Sequence, residues 1–314
     1  MLRLGEAPTF EDFSPAWAWG GSTGAGIRVA VVDSGIEADH PALGDCVDVD
    51  GGVSVVVDDD GEAIIVPGPH DDTFGHGTAC AGIIHAIAPD ARITSVRVLG
   101  PGLVGKAAAF LGGLGWAIES GFDVVNLSLG TTRRDWALAF HELCDQAYFR
   151  NCLLVTAANN LTRQSYPSLF SSVVSVACNL ATEPMRFHWN PDPPTEFLAR
   201  GIDVEVPWRG GGSMRSTGNS YAAPHISGIA ALIRAEHPEL RPFQVKAALW
   251  ATAANVREAR DRAVPAGRLS RVMRASAMTT RASSALRTGP LGSGPNAAGR
   301  PGVDGVDDHQ GAGR

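Results

Sequence analysis

The sequence predicts an α/β chain in three layers, a mostly parallel β-sheet with helices on both faces. Three observations predict it. Short β-branched runs bounded by glycine alternate with longer, helix-length apolar stretches. That alternation implies βαβ crossovers, and crossovers make neighbouring strands parallel. Hydrophobic residues make up 44% of the 314 residues against 19% charged, which is enough apolar material for a sizeable core.

The elements follow in order. Residues 1–26 read as a turn-rich lead-in carrying Trp17 and Trp19. Gly26 to Asp33 is too short and too β-branched for a helix and reads as a buried strand ending on a carboxylate. Val53 to Val57 and Ala63 to Val66 flank Asp58-Asp59-Asp60-Gly61, and Asp-Gly between β-rich runs signals a hairpin. Gly75 to Ile84 enters a helix of small residues, and Ala91 to Leu99 is a strand. Lys106 to Ser120 is a helix, Asp123 to Leu129 a strand, Asp135 to Arg150 a helix, and Cys152 to Ala157 and Ser172 to Ala177 are strands. A glycine-rich run, Arg209 to Gly212, leads into a helix over 220–236, which breaks at His237-Pro238; another helix spans Pro242 to Ala253. The main domain is therefore expected over 27–276. Beyond it, 277–314 turns to Ala, Ser, Gly, Pro and Arg and is expected to be a disordered tail whose removal leaves folding intact.

Composition excludes several partners. A formal net charge of -7 argues against nucleic acid and anionic membrane surfaces, which need clustered cations. No run of about 18 apolar residues marks a membrane span, and Met1 to Phe13 lacks the apolar segment of a signal peptide. The 5 cysteines, Cys46, Cys80, Cys144, Cys152 and Cys178, are odd in number and irregular in spacing. Reduced thiols in a cytoplasmic setting fit them better than a disulfide framework with a Cys144–Cys152 bridge.

The residues that carry chemistry lie at element ends. Ser220, in Gly218-Asn219-Ser220-Tyr221, falls in the first turn of a buried helix, where backbone N–H groups are unpaired and the dipole favours negative charge. Taken alone, that stretch fits either a nucleophile or a capping serine. Asp33 ends a central strand, where ligand sites of open α/β sheets lie. His76 opens a helix between Gly75 and Gly77, and Asn160 follows the strand ending at Ala157. Acyl transfer needs a nucleophile, a base, a group that orients the base, and oxyanion donors, and these four residues supply all of them. His225 reads as packing, Cys80 as a small buried helix residue rather than a metal ligand beside His76, and Asp58 to Asp60 as a solvated turn rather than a calcium site.

The chain resembles the subtilisin-like serine proteases, the subtilases. Val31-Val32-Asp33-Ser34-Gly35-Ile36 is similar to the family's aspartate motif, Gly75-His76-Gly77-Thr78 with Ala81-Gly82 to its histidine motif, and Gly218-Asn219-Ser220 with Ala223-Pro224-His225 and Gly228 to its serine motif. Asn126 to Gly130 resembles the segment that pairs with substrate, and Ala157 to Asn160 the one that ends in the oxyanion asparagine. The resemblance runs over about residues 16–256. It implies a serine endopeptidase with Asp33, His76 and Ser220 as catalytic triad and Asn160 with the Ser220 N–H as oxyanion donors. It also implies an extended peptide held along Ser128, Leu129 and Gly130, with Ala158 and Asn159 in the wall of the pocket for the residue before the scissile bond. Protein or peptide is the implied partner, and no cofactor or metal is expected.

Five departures shape the expectation. Asn219 stands where threonine is usual and Asn159 where glycine is usual, which bears on pocket shape. The family's loop that wraps a calcium ion is missing between Ile84 and Pro89, and a calcium-ligand aspartate of the family falls at Ala42, so no calcium is expected there. About 26 residues precede the first strand, too few for the usual folding prodomain. Together with the cytoplasmic expectation, this favours limited processing of a dedicated protein or peptide, such as maturation of a ribosomally made peptide. The alternatives are an inactive domain that binds peptides by strand addition, and a serine esterase or peptide ligase built from the same residues.

Overall fold

A computed structural model of the protein describes residues 13–161 and 163–262. The expected boundary at 276 and the tail 277–314 lie outside the described residues. The chain opens on α1 (Pro15–Trp19), then β1 (Arg28–Asp33), β2 (Val53–Val57), β3 (Ala63–Pro67), α2 (His76–Ile87), β4 (Arg92–Arg97), α3 (Ala107–Glu119) and β5 (Val124–Leu127). It continues through α4 (Ala137–Phe149), β6 (Leu153–Ala157), β7 (Val174–Asn179), β8 (His188–Trp189), β9 (Phe197–Arg200), β10 (Val204–Trp208) and β11 (Gly212–Ser216). The last described elements are α5 (Asn219–Glu236), α6 (Pro242–Thr252) and α7 (Ala254–Arg262).

One sheet of nine strands runs β3-β2-β4-β1-β5-β6-β7-β9-β8. Its interior pairs are parallel, and only β3 and β8 at the two edges run antiparallel. The pleat sends alternate residues of β1 to opposite layers. Val29 and Val31 pack in the cluster that holds α2, α5 and α6, whereas Ala30 and Val32 pack in the cluster that holds α3 and α4. The predicted three-layer α/β architecture is thus the observed one. With apolar helices on each side, the central strands are buried on both faces, which explains their unbroken Val, Ile and Leu runs.

The strand and helix spans read from sequence recur within about two residues at most ends. The helix expected from Asp135 starts instead at Ala137, because a short 3-10 turn, Arg134–Trp136, precedes it. The lead-in is more ordered than its composition suggests. Ser14 caps α1 by accepting from the Trp17 N–H at 3.1 Å, Trp17 stacks on His237 with ring centres 4.0 Å apart, and Phe13 and Ala18 join the core. The run Arg209 to Gly212 is no simple lead-in to a helix. It is the turn of the β10–β11 hairpin, with Gly210 and Gly211 at φ of 85° and 73°, values that glycine adopts without steric cost. Strands β8 and β9 and helix α7 complete what the sequence pattern left unassigned.

Candidate active site

Asp33 is the last residue of β1 and is fully buried. Its Oδ1 accepts from the Ser34 N–H at 2.8 Å, and its two oxygens lie 2.8 and 2.9 Å from His76 Nδ1. A carboxylate facing Nδ1 assigns the proton to that nitrogen and leaves the Nε2 lone pair as the basic end of the ring. Burial disfavours charge on His76, yet the Asp33 carboxylate outweighs it and raises the imidazole well above its ordinary pKa.

The start of α2 is held in place by a buried residue that the sequence reading missed. Asp72 accepts five hydrogen bonds: from Ser34 Oγ, from the backbone N–H of Phe74, Gly75 and Thr78, and from Thr78 Oγ1, at 2.7 to 2.9 Å. Ser34 Oγ in turn accepts from the Gly77 N–H. An aspartate shortly before a helix start is a local signature of this kind, since its side chain satisfies the unpaired first-turn donors. Glycine is required twice in this loop. Gly75 has φ of 117°, and a Cβ there would meet the Trp208 ring at 2.6 Å; at Gly77 a Cβ would collide with the Gly35 carbonyl.

Cys80, one turn further along α2, is buried with Sγ 3.9 Å from both Asp33 Oδ2 and His76 Nδ1. Asp33, His76 and Cys80 are the one close group of metal-type donors among the described residues. Burial raises the Cys80 thiol above its ordinary pKa, and the Nδ1 facing it is already held by Asp33. Cys80 Sγ thus lies against the Asp33–His76 pair.

Ser220 lies in the first turn of α5, and its carbonyl accepts from Ser128 Oγ at 2.8 Å. Ser128 Oγ accepts from Asn126 Nδ2, and Asn126 Oδ1 from Ser227 Oγ, so a buried polar chain ties β5 to α5. Asn160 Oδ1 accepts from the Asn219 N–H at 2.9 Å. That bond assigns the carboxamide orientation and leaves Nδ2 as the donating end. The position a Cβ would take on Gly218 lies 3.3 Å from Ser220 Oγ and 3.7 Å from Asn160 Oδ1, so the two side chains border one small space. The Asn219 side chain cross-links the site: Oδ1 accepts from the Cys178 N–H, and Nδ2 donates to the carbonyls of Ala158 and Asn159.

His76, Ser220 and Asn160 line one cleft of about 850 Å³ together with Ser128, Leu129 and Gly130. A smaller pocket of about 150 Å³ opens beside it, shared by Ser128 to Gly130, Ser220 and Asn160 and walled by Ala158 and Asn159. Every candidate residue is thus brought to these two adjoining spaces except Asp33, which sits buried behind His76. His225 stays apart from them: it is buried, donates from Nδ1 to the Tyr221 carbonyl at 2.8 Å, and is lowered by burial to a pKa of about 4. In the acidic turn Asp59 and Asp60 are exposed and Asp58 is half-buried, and Asp58 Oδ1 accepts from the backbone of Asp60 and Glu62.

A buried Asp–His pair beside a helix-start serine, on a parallel sheet layered by helices, defines a subtilisin-like serine protease. The comparisons with known proteins agree. The sequence pattern of the subtilase family matches residues 24–313, and the chain belongs to that family. It is 32% identical over 256 residues to subtilisin of Bacillus pumilus, an alignment covering 76% of this chain and 88% of that one. It is also 32% identical to subtilisin E of Bacillus subtilis (strain 168), where the match spans 64% of the relative's length. Among solved structures it resembles a cold-adapted subtilisin-like serine proteinase (TM-score 0.58, 25% identity, 72% of this chain and 82% of that one). It resembles a lanthipeptide protease similarly (TM-score 0.59, 25% identity, 75% and 85%).

Proposed function

We propose that this serine protease hydrolyses peptide bonds through an acyl-enzyme, with Ser220 as nucleophile, His76 as general base and acid, and Asp33 as the group that orients and stabilises the imidazolium. His76 Nε2 takes the Ser220 hydroxyl proton as Oγ bonds to the scissile carbonyl carbon, and returns it to the departing amine. The carbonyl oxygen, now negative, accepts from Asn160 Nδ2 and the Ser220 N–H. Water then repeats the sequence on the ester and frees Ser220. The observation that carries this reading is the buried Asp33–His76 pair at 2.8 Å beside the cleft that Ser220 and Asn160 share. The direct test is covalent labelling of the full chain by a fluorophosphonate probe. Wild type should label and Ser220→Ala should not; the substitution should also cost about 10⁶ in kcat, the loss found for the same residue in subtilisin. An unlabelled wild type would move the peptide-binding alternative to the front.

For the biological role we propose limited processing of a protein or peptide precursor in a reducing compartment, the cytoplasm. Five free thiols support the compartment, and the likeness to a lanthipeptide protease supports a peptide precursor as substrate. Incubation with casein distinguishes the roles: a processing enzyme leaves large fragments, and digestion to small peptides would overturn the proposal. Cell fractionation with an antibody to the chain checks the compartment.

A further inference from the structure

The large cleft carries an uneven charge. Its apolar wall is formed by Leu99, Leu103, Phe110, Leu129 and Trp136. The charged side chains lining it besides His76 are Lys106 and Arg133, and no carboxylate lines it among the described residues. This stands against the balance of the whole chain, whose formal net charge is -7. Lys106 is exposed at the start of α3. Arg133 pairs with Asp135 at 3.1 Å, but both side chains are mostly exposed, at 69% and 77%. Such a pair is worth little and exchanges readily for a better partner. Trp136 adds a second feature: its indole Nε1 is buried with no hydrogen-bond partner among the described residues. An unpaired donor in a partly buried wall gains when an acceptor arrives. The acidic turn Asp58 to Asp60 precedes Gly61, which also lines the cleft, but none of its carboxylates does.

The cleft's place along a bound peptide follows from the neighbouring pocket. Asn159 walls the small pocket that would take the residue before the scissile bond, and Ser128 to Gly130 line both spaces. An extended chain following that edge away from Ser220 passes into the large cleft with the residues upstream of the cut. We propose that Lys106 and Arg133 select peptides with an acidic side chain a few residues upstream of the scissile bond. The inference rests on the peptidase reading above and adds the substrate class to it. A positive rim attracts a carboxylate and repels a lysine, and both effects discriminate.

The test uses the full chain on a proteome-derived peptide library, with cut sites read by mass spectrometry, and with fluorophosphonate labelling run in parallel. Asp and Glu should be enriched over Lys and Arg about fivefold in the first few positions upstream of the cut, as expected for an interaction near 1 kcal/mol. The enrichment should shrink in high salt. The double variant Lys106→Glu with Arg133→Glu should invert the acidic-to-basic ratio, a readout independent of how fast the variant turns over. Probe labelling combined with no upstream charge preference, a basic preference, or no cuts at all would overturn this inference while leaving the nucleophile intact. Absence of probe labelling would instead sink the peptidase reading beneath it.

Discussion

His76 and Asp72 decide whether the site works, and each lends itself to measurement. The base must be neutral to accept the Ser220 proton, and the Asp33 carboxylate holds the imidazole above its ordinary pKa of 6.5 despite burial. Activity should therefore rise with pH along an acid limb placed above 6.5 in kcat/KM. The same shift acts oppositely on stability. A histidine raised in the folded state contributes stability that is complete below the unfolded pKa and is lost as pH climbs through the folded one. An acid limb below 6.5 would show that Asp33 does not govern His76. Asp72 touches no substrate, and its part is to hold the loop that aims His76. Asp72→Ala orphans five donors around Gly75 and Thr78. A misplacement on that scale should lower kcat by about 10² with a smaller change in KM. Asp72→Asn keeps part of the accepting capacity and should fall between. An unchanged kcat in Asp72→Ala would reduce Asp72 to a stabilising residue.

The elements behave as layers, and the layer that bears none of the candidate catalytic side chains can be weakened without touching the chemistry. Helices α3 and α4 meet through Phe110 and Phe140, ring centres 4.6 Å apart, beneath the β1–β5 face that carries Ala30 and Val32. Phe140 is fully buried. Phe140→Ala removes its apolar area and leaves a cavity, so unfolding free energy should drop by about 3–5 kcal/mol in urea titration. Fluorophosphonate labelling of the folded fraction should persist, because α2 and α5 lie on the opposite face. A loss below about 1 kcal/mol would mean that the layer collapses around the gap. The β10–β11 hairpin connects differently: Trp208 lies against Gly75, Arg209 donates to the Thr73 carbonyl, and Glu37 accepts from the Gly210 N–H. It is a small element outside the main sheet whose turn steadies the His76 loop.

At the scale of the molecule, the thiols report on packing. Cys46, Cys80, Cys144 and Cys152 are buried and Cys178 is partly exposed. Burial pushes Cys46 to about 11 and Cys144 and Cys152 to about 12, out of range of thiol reagents at neutral pH. A chromogenic disulfide reagent should count at most one thiol in the native chain and five in denaturant; a count below five in denaturant would reveal a disulfide. The sheet, its helices and the order Asp33, His76, Ser220 were legible in the sequence, because β-branched runs, small-residue helices and glycine-flanked motifs are local patterns. The β10–β11 hairpin carried its own signal in the alternation of Val204, Glu205 and Val206 before a glycine turn. It was obscured by the glycines, which read equally well as a loop into α5. Asp72 did carry a local signal, a carboxylate just ahead of a helix start, but its bond to Ser34 did not, nor did the Asn219 cross-links and the Ser128–Asn126–Ser227 chain, since each joins residues that only crossovers bring together. The sequence by itself determined which groups are available and which ends of elements bear them, because composition and period are properties of a short stretch. Only the tertiary structure decided that the Asp33 carboxylate meets His76 Nδ1, that Asn160 turns Nδ2 free, and that two cations line the cleft. Those are facts about directions in space, set by how the parallel sheet stacks its strand ends.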